Sequence, residues 1–561
     1  MSSDPSSGVP EELGDFTTTV RVVPLTLLAA VIGMLAAFVA RLLLGAIAFF
    51  TNLFFFQRFS IQGVTPSTHH LGYAVVLVPI VGGLIIGFMA RYGSEKIRGH
   101  GIPEAIEAIL LRGSRVQARV AVLKPLSSAI SIGSGGPFGA EGPIIMTGGA
   151  FGSLVAQFFE LSAAERKTLL VAGAAAGMSA TFDSPLAASL LAVELLLFEW
   201  KPRSMIPVMV ASVVAASVRP YLLGTGPLFP IAPSVSATPH PTWALVFACA
   251  ACGIAAGIMS GLLTKGVYFF EDAFLKLPIH WMWWPALGGL AIGIGGLVEP
   301  RALGVGYETI ESLLRGDLFG RALLVLMIAK SGIWMISLGS GTSGGVLAPL
   351  LIMGASLGGL EALVLPNMGP GFWPLVSMAA ILGGTMRSPF TGIVFALEVT
   401  HAWGLVVPLL LAVPMAHAFT VLALKRSILT EKVSRRGFHL SREYETDPLE
   451  ILFVREVMSI EEDVIARAAA AFEQAGAKPA VAYANEPLRV AVYRMAETGM
   501  TRLPVINGDP RAVVGEITLE DMLKARVRHL EEEQRRERIR HLPPVIPQRL
   551  LPRPLRGKGN G

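Results

Sequence analysis

The side chain most suited to chemistry is Glu141, the one carboxylate in the glycine-rich apolar stretch GPFGAEGPIIMTGGAFG at 136–152. An ionisable side chain inside an apolar membrane segment costs about 2.5–3.5 kcal/mol on insertion scales and is functional by default. Such a carboxylate can take up and release a proton. We therefore interpret Glu141 as a functional titratable group rather than as a side chain that reaches a lipid interface.

Other reactive side chains give weaker signals. Cys249 and Cys252 have CxxC spacing, but they lie in a long run of Ala and Gly without histidine or charge. That setting favours helix packing over redox or metal chemistry. His69 and His70 are interpreted as loop residues. The sequence lacks an HExxH motif, a Walker A loop and a Ser/His/Asp set near its apolar core, so we predict no metal site, no enzyme and no ATP-driven pump.

The composition is that of a membrane protein, because 52% of the residues are hydrophobic and only 16% are charged, against about 25% charged in soluble domains. Charge is thin from Val23 to Val421 and dense beyond Lys425. The net charge of +5 comes largely from the last stretch of the chain and does not indicate nucleic-acid binding. We predict a polar tail at 1–20, a membrane domain at 21–440, a polar domain at 450–528 and a basic, Pro-rich tail at 529–561.

The apolar segments are short and are interrupted by many of the 60 glycines and 38 prolines. Two of them, TFDSPLAASLLAVEL at 181–195 and TMRSPFTGIVFALEV at 385–399, share Thr, Ser, Pro and Glu at identical offsets. Upstream, GAEGPIIMTGGAFGSL at 139–154 aligns in register with GVLAPLLIMGASLGGL at 345–360. Broken helices in an internal duplication favour a transporter or pore in which helix N-termini bind an anion at the bilayer midplane. The predicted repeats are 71–222 and 242–424.

Three motifs, in order, resemble those of the CLC family of chloride channels and chloride/proton antiporters. GHGIPE at 99–104 resembles GSGIPE, GAEGP at 139–143 resembles GREGP, and GGVLAP at 344–349 resembles the GxFxP motif. KRSILTEKVSRRG at 425–437 and Lys124 also match. The resemblance implies an all-α polytopic membrane protein, with a CLC-type inverted repeat and many broken, re-entrant helices. It also implies a homodimer in a lipid bilayer, with one chloride pathway in each subunit.

The resemblance assigns roles to residues by position. Glu141 matches the gating glutamate, which occupies an anion site when ionised and leaves it when protonated. Lys124 matches a basic residue at the pore entrance. The positions expected to bind the anion are His100, Gly101, Ile102, Gly139, Ala140, Gly142, Gly345, Val346, Leu347, Ala348 and Leu429. Glycines before each helix start are expected to leave bare N–H groups for this purpose.

Four motif positions depart from the family. The pore serine falls on His100, the arginine on Ala140, the phenylalanine on Leu347 and the pore tyrosine on Leu429. Two hydroxyls that would contact a central chloride are therefore missing from the sequence, and backbone N–H groups would have to bind it. His100 could donate a hydrogen bond to the anion, or it could cap the short helix that we predict to begin at Pro103.

Coupling to protons rests on another position. Antiporters of this family usually carry a second glutamate where this chain has Leu195. We interpret Glu194 and Glu398, equivalent members of the two repeats, as structural. The sequence thus predicts a channel-like or weakly proton-coupled pathway over the alternative, a stoichiometric chloride/proton antiporter. A non-conducting membrane regulator that senses a nucleotide is the alternative of another class.

The polar domain resembles a CBS module, with VREVM at 454–458 and a helix–strand–turn–strand–helix pattern over 486–523. Thr518 and Asp521 fit a T-x-x-D pair that can hold an adenine nucleotide, and the alternative is a dimerisation module without a ligand. We predict no other cofactor. We expect a bacterial inner-membrane protein with this domain in the cytoplasm.

Overall fold

The computed structural model describes residues 18–111, 113–231, 242–435, 449, 452–474, 480–507 and 512–527. The chain divides into two units, Met1–Arg442 and Glu443–Gly561. The predicted tail at 529–561, and all but the last three residues of the tail at 1–20, lie outside the described residues.

The membrane unit consists of helices joined by glycine-rich loops. The helices of its first half are α1 (Val22–Phe56), α2 (Leu77–Phe88), α3 (Ile102–Leu111), α4 (Ala118–Gly133), α5 (Glu141–Gln157), α6 (Ala163–Phe182), α7 (Pro185–Leu191) and α8 (Pro202–Leu223). The helices of its second half are α9 (Trp243–Leu275), α10 (Trp284–Val298), α11 (Tyr307–Arg315), α12 (Arg321–Gly339), α13 (Leu347–Glu361), α14 (Phe372–Met386), α15 (Pro389–Thr400), α16 (Val406–Ala423) and α17 (Ile428–Arg435). The predicted all-α membrane fold is confirmed.

Only some of these helices could cross a bilayer. Seven helical segments among the described residues are long and apolar enough to do so. By contrast α3, α11 and α13 have 10, 9 and 15 residues, fewer than the ~20 of a spanning helix. Pro185 and Pro389 stand in the first turns of α7 and α15, where the missing N–H costs no hydrogen bond. Short helices of this kind need protein around their ends, because lipid cannot satisfy the backbone.

The duplication appears as a reciprocal contact between α7 and α15. Glu398, on α15, accepts hydrogen bonds from two N–H groups in the first turn of α7, at 3.0 and 2.8 Å. Glu194, in the π-helical continuation of α7 (Ala192–Leu197), accepts from two N–H groups in the first turn of α15, at 3.2 and 2.8 Å. Each repeat therefore satisfies donors that the helix start of the other repeat leaves unpaired.

The C-terminal unit contains a small mixed sheet. Its strands are β1 (Ala482–Tyr483), β2 (Arg502–Ile506) and β3 (Val513–Thr518), in the order β1-β2-β3. β2 pairs parallel with β1 and antiparallel with β3. Its helices are α18 (Glu462–Gln474), α19 (Leu488–Thr498) and α20 (519–527). The order α19, β2, β3, α20 is the predicted one, and most of the predicted turn at 507–510 lies outside the described residues.

Candidate functional site

Three loops that precede short helices meet at one place in the membrane unit. Gly139, before α5, and Gly345, before α13, exchange backbone hydrogen bonds of 3.2 and 2.9 Å. The N–H of Gly344 donates to the carbonyl of Gly99, before α3, at 3.4 Å. The duplication therefore places equivalent loops of both repeats side by side, with three helix starts close to one another.

Glycine permits this close approach. A methyl group on Gly142 would overlap the carbonyl of His100. A methyl group on Gly101, where φ is +90°, would overlap the carbonyl of Gly142. Only a residue without a Cβ fits at such positions without strain. The structure thus brings together the predicted anion-binding positions at 100–102, 139–142 and 345–348.

Three of the glycines expected to bind the anion use their N–H groups elsewhere. Gly139 and Gly345 donate to each other's carbonyls, and the N–H of Gly101 donates to the Glu104 carboxylate at 2.8 Å. The expectation that these glycine N–H groups are bare is therefore wrong, because the loops need them for their own pairing. The donors that remain lie in the first turns of α5 and α13, where N–H groups have no acceptor within the helix.

Glu141 begins α5 and is fully enclosed, with 0% of the residue exposed. Its carboxylate faces the backbone N–H of Ala348, on α13, and the hydroxyl of Tyr307, on α11. Neither carboxylate oxygen has a partner with full hydrogen-bond geometry in the part of the chain that the structure describes. Oriented N–H groups and nearby positive charge would favour an ionised carboxylate here, and a bound anion would require the same groups.

Lys330 is a buried residue beside Glu141 that the sequence interpretation missed. It lies on α12, is fully enclosed and interacts electrostatically with Glu141. Its Nζ donates to the carbonyls of Ala302 and Gly304, both at 2.9 Å. The ammonium group therefore fixes the loop before α11 and adds positive charge near the carboxylate.

Lys124 is the first-repeat counterpart of Lys330, since each lies fifteen positions before the paired glycine of its repeat. It is fully enclosed, and its Nζ donates to the carbonyls of Ile97 and Gly99 at 2.8 and 2.7 Å. The expectation that Lys124 stands at a pore entrance is wrong, because its charge is enclosed and its donors hold the loop before α3. The equal offsets would have revealed Lys330 from the sequence alone.

His100 has an exposed fraction of 3%, and its Nδ1 has no hydrogen-bond partner among the described residues. It does not cap α3, which begins at Ile102 rather than Pro103. Glu104 performs the capping instead, by accepting from the N–H of Gly101. The capping interpretation of His100 is therefore wrong, and its alternative role as a donor to the anion stays a prediction.

An ion pair joins α3 to α17. The Nζ of Lys432 lies 2.8 Å from the carboxylate of Glu104, and the two side chains are 16% and 7% exposed. Both residues line, with His100, a cavity of about 750 Å³ that also contains Arg98 and Tyr268. This cavity can hold water and hydrated ions up to His100.

Leu429 lies in the first turn of α17 and is fully buried. It offers no side-chain donor to an anion. The hydroxyl of Tyr268, on α9, donates to the carbonyl of Ile428 at 2.5 Å, so it does not replace the missing pore tyrosine. An anion near Leu429 would therefore have only backbone groups of α17 as donors at this position.

Leu195 is fully buried and apolar. Its neighbour Glu194 points to α15, where it accepts from first-turn N–H groups and from the hydroxyl of Thr391 at 2.6 Å. These contacts support the interpretation of Glu194 and Glu398 as structural residues. At the position of Leu195 no side chain can pass a proton.

Comparison with protein-family models matches residues 82–421 to the model described as voltage gated chloride channel. The chain belongs to this family. Its common name, CLC, is the one that the three motifs predicted. Residues 476–528 match the model described as CBS domain, so the resemblance in the C-terminal unit is confirmed as well.

The CLC proteins that this chain resembles include both channels and exchangers by name. A Ralstonia nicotianae protein, provisionally named a ClcB-like chloride channel protein, is 29% identical over 63% of this chain and 83% of its own length. The Salmonella agona protein named H+/Cl− exchange transporter ClcA is 31% identical over 69% of this chain and 84% of its own. The crystal structure of a slow cyanobacterial Cl−/H+ antiporter superposes with a TM-score of 0.65 at 20% identity, over 75% of this chain and 99% of that one. The superposition shows the CLC fold.

In the CBS domain, Thr518 and Asp521 hydrogen-bond to each other. The Asp521 carboxylate accepts from the N–H and the hydroxyl of Thr518 at 3.0 and 2.6 Å. The N–H of Asp521 donates to the Thr518 hydroxyl at 3.1 Å. The pair therefore caps the start of α20, and nucleotide binding by these residues stays a prediction.

Proposed function

We propose that this protein moves chloride across a membrane in exchange for protons, with Glu141 as gate and proton carrier. The observation that carries the proposal is the enclosed Glu141 carboxylate, which lies among helix N-termini without a fixed hydrogen-bond partner. The names of the ClcA relative and of the cyanobacterial antiporter support exchange over a plain channel. Proton exchange is thus favoured over the channel-like pathway that the sequence predicts.

Glu141 works by competition with the anion. When ionised, its carboxylate occupies the first-turn N–H groups of α5 and α13, so an anion cannot. A proton removes its charge, the carboxyl group leaves, and chloride takes the vacated donors. Repeated departure and return of the side chain passes protons in one direction and chloride in the other.

Water replaces a side chain on the rest of the proton route. Leu195 is apolar, so protons that reach Glu141 must travel through ordered water on one side. The cavity that His100 lines supplies a hydrated region. Slow exchange follows from a route without a titratable relay.

Uncoupled chloride permeation is the second candidate function. The observation that favours it is the buried Leu195, together with the engagement of Glu194 in capping α15. Without a relay, protons would reach Glu141 from one side only and would gate the pathway without crossing it.

Purified protein in liposomes distinguishes these functions when chloride efflux and external pH are recorded together. Exchange predicts that an outward chloride gradient drives protons into the vesicles at a fixed ratio, with a reversal potential that follows pH. Chloride flux without proton uptake would reject exchange in favour of uncoupled permeation. Absence of both fluxes would reject transport and favour a non-conducting regulator.

Replacing Glu141 with Gln tests the gate. The amide resembles the protonated acid but cannot titrate, so Glu141→Gln should keep chloride flux, lose proton uptake and lose its dependence on pH. Glu398→Gln is the matched control, because it neutralises another buried carboxylate that caps α7, and it should keep the wild-type pH profile. Wild-type pH dependence in Glu141→Gln would contradict the gate assignment.

We further infer a bacterial cell membrane and a cytoplasmic CBS domain. The relatives from Ralstonia and Salmonella support the first inference. Basic clusters such as EKIR and LKRS beside apolar segments support the second through the positive-inside rule. Protease should remove the CBS domain in inside-out vesicles and leave it intact in right-side-out vesicles.

A further inference from the structure

Tyr307 is a polar residue near Glu141 that no sequence motif predicts. It begins α11, three residues after the glycine that Lys330 holds, and Ile102 has the same relation to Lys124 in the first repeat. The Tyr307 ring packs edge-on against two aromatic rings, at centroid distances of 6.2 Å from Phe182 and 5.8 Å from Phe229. These contacts restrict the directions in which its hydroxyl can point.

The hydroxyl of Tyr307 is buried and has no partner with full hydrogen-bond geometry among the described residues. Both carboxylate oxygens of Glu141 also lack such a partner, and the Tyr307 hydroxyl and the Glu141 carboxylate interact with each other. Because an unmatched buried polar group is costly, a donor and an acceptor so placed have a strong reason to bond.

Lys330 stabilises the loop that leads into Tyr307. Its Nζ donates to the carbonyls of Ala302 and Gly304, which lie in the loop before α11. In the part of the chain that the structure describes, Tyr307 and Lys330 are the titratable side chains that act on the Glu141 carboxylate. The phenolic hydroxyl has no other acceptor among the described residues, whereas the Lys330 ammonium uses two of its three donors on carbonyls.

We propose that Tyr307 is a positioning residue that holds ionised Glu141 in the blocking position by donating a hydrogen bond to its carboxylate. The inference rests on the proposed role of Glu141 as the gate. A small rotation of the Glu141 side chain completes the bond. Protonation then releases the side chain in two ways, because a neutral acid loses both its charge and the stronger, charge-assisted bond from Tyr307.

The Tyr307 hydroxyl favours the ionised form of Glu141, and this preference sets the direction in which the pH dependence of chloride flux should shift. A hydrogen bond to the carboxylate stabilises the ionised state, so Glu141 takes up its proton only at a lower pH. Without the hydroxyl, protonation begins at a higher pH. Chloride flux, which rises as the pH falls, should then begin at a higher pH as well.

The test measures chloride efflux from liposomes across the acidic to neutral range for the full chain carrying Tyr307→Phe. The pH of half-maximal flux should rise by about one unit, the typical effect of losing one charge-assisted hydrogen bond. Flux at neutral pH should increase several-fold. In the Glu141→Gln background, Tyr307→Phe should change neither flux nor its pH profile, and flux equal to that of Glu141→Gln shows that the fold is kept.

Tyr221→Phe is the matched control, because it removes a hydroxyl from a tyrosine that is 89% exposed on α8. It should leave the pH profile unchanged. An unaltered profile in Tyr307→Phe, with Glu141→Gln insensitive to pH, would overturn the role of Tyr307 and leave the gate standing. Altered flux in the double variant relative to Glu141→Gln would also overturn it, since Tyr307 would then act on the pore directly. Persistent pH dependence in Glu141→Gln would instead overturn the gate, and this inference with it.

Discussion

Lys124 and Lys330 show how one residue type serves both repeats of this CLC protein. Each is fully enclosed and donates to two backbone carbonyls in the loop before a short helix. A buried charge is tolerated only with such partners. The two residues differ in their surroundings, because Lys330 acts on Glu141 whereas Lys124 acts on Glu104 and Lys432.

We expect Lys124→Met and Lys330→Met each to lower stability by about 2–4 kcal/mol, because each leaves two buried carbonyls unpaired at roughly 1–3 kcal/mol apiece. The loss of monodisperse protein on heating in detergent measures this effect. Only Lys330→Met should also raise the pH of half-maximal chloride flux, since only Lys330 favours the ionised form of Glu141. Identical pH profiles in the two variants would contradict this difference.

At the scale of elements, α7 and α15 hold the two repeats together through reciprocal caps. A carboxylate near the end of each helix accepts from the first turn of the other. The positive end of the helix dipole favours a negative charge at that place. The same arrangement supports the interpretation that Glu194 is not a proton relay, although it is adjacent to the position where antiporters of the family carry one.

Glu194→Gln and Glu398→Gln should each cost about 1–2 kcal/mol of stability, because a neutral amide forms weaker hydrogen bonds to the helix N-terminus than a carboxylate does. Thermal inactivation in detergent provides the measurement. The ratio of chloride to protons should be the same in both variants as in the wild type. Loss of proton transport in Glu194→Gln alone would identify Glu194 as the relay and refute the structural role.

At the scale of the molecule, equivalent positions of the two repeats expose apolar side chains. Leu186, near the start of α7, is 49% exposed, and Phe390, near the start of α15, is 60% exposed. Matching patches on two packed helices form a surface that a second copy related by a two-fold axis can cover. This surface supports the prediction of a homodimer with a complete pathway in each subunit.

Light scattering in mild detergent should give a protein mass of twice that of the chain. Leu186→Trp should shift the population towards monomers, because added bulk disturbs a packed two-fold interface. Leu27→Trp, at a position on α1 that is 65% exposed, is the control and should leave the dimer intact. A monomeric mass for the wild-type protein would reject the dimer.

The sequence by itself determined the helical membrane unit, its duplication and the identity of Glu141 as the central titratable group. Apolar runs, proline at helix starts and repeated motifs are local patterns, so they can be recognised in the sequence without knowledge of the fold. The equivalence of Glu194 and Glu398 was likewise visible, because residues 181–195 and 385–399 align without gaps.

Only the tertiary structure decided which donors stay available for an anion. The N–H of Gly139 is occupied because Gly345 lies opposite it, and Lys124 is enclosed because carbonyls 25 and 27 positions earlier surround its Nζ. Tyr307 acquires its place beside Glu141 in the same way. Packing between segments far apart in the chain determines hydrogen-bond partners of this kind. Local sequence patterns therefore cannot predict them.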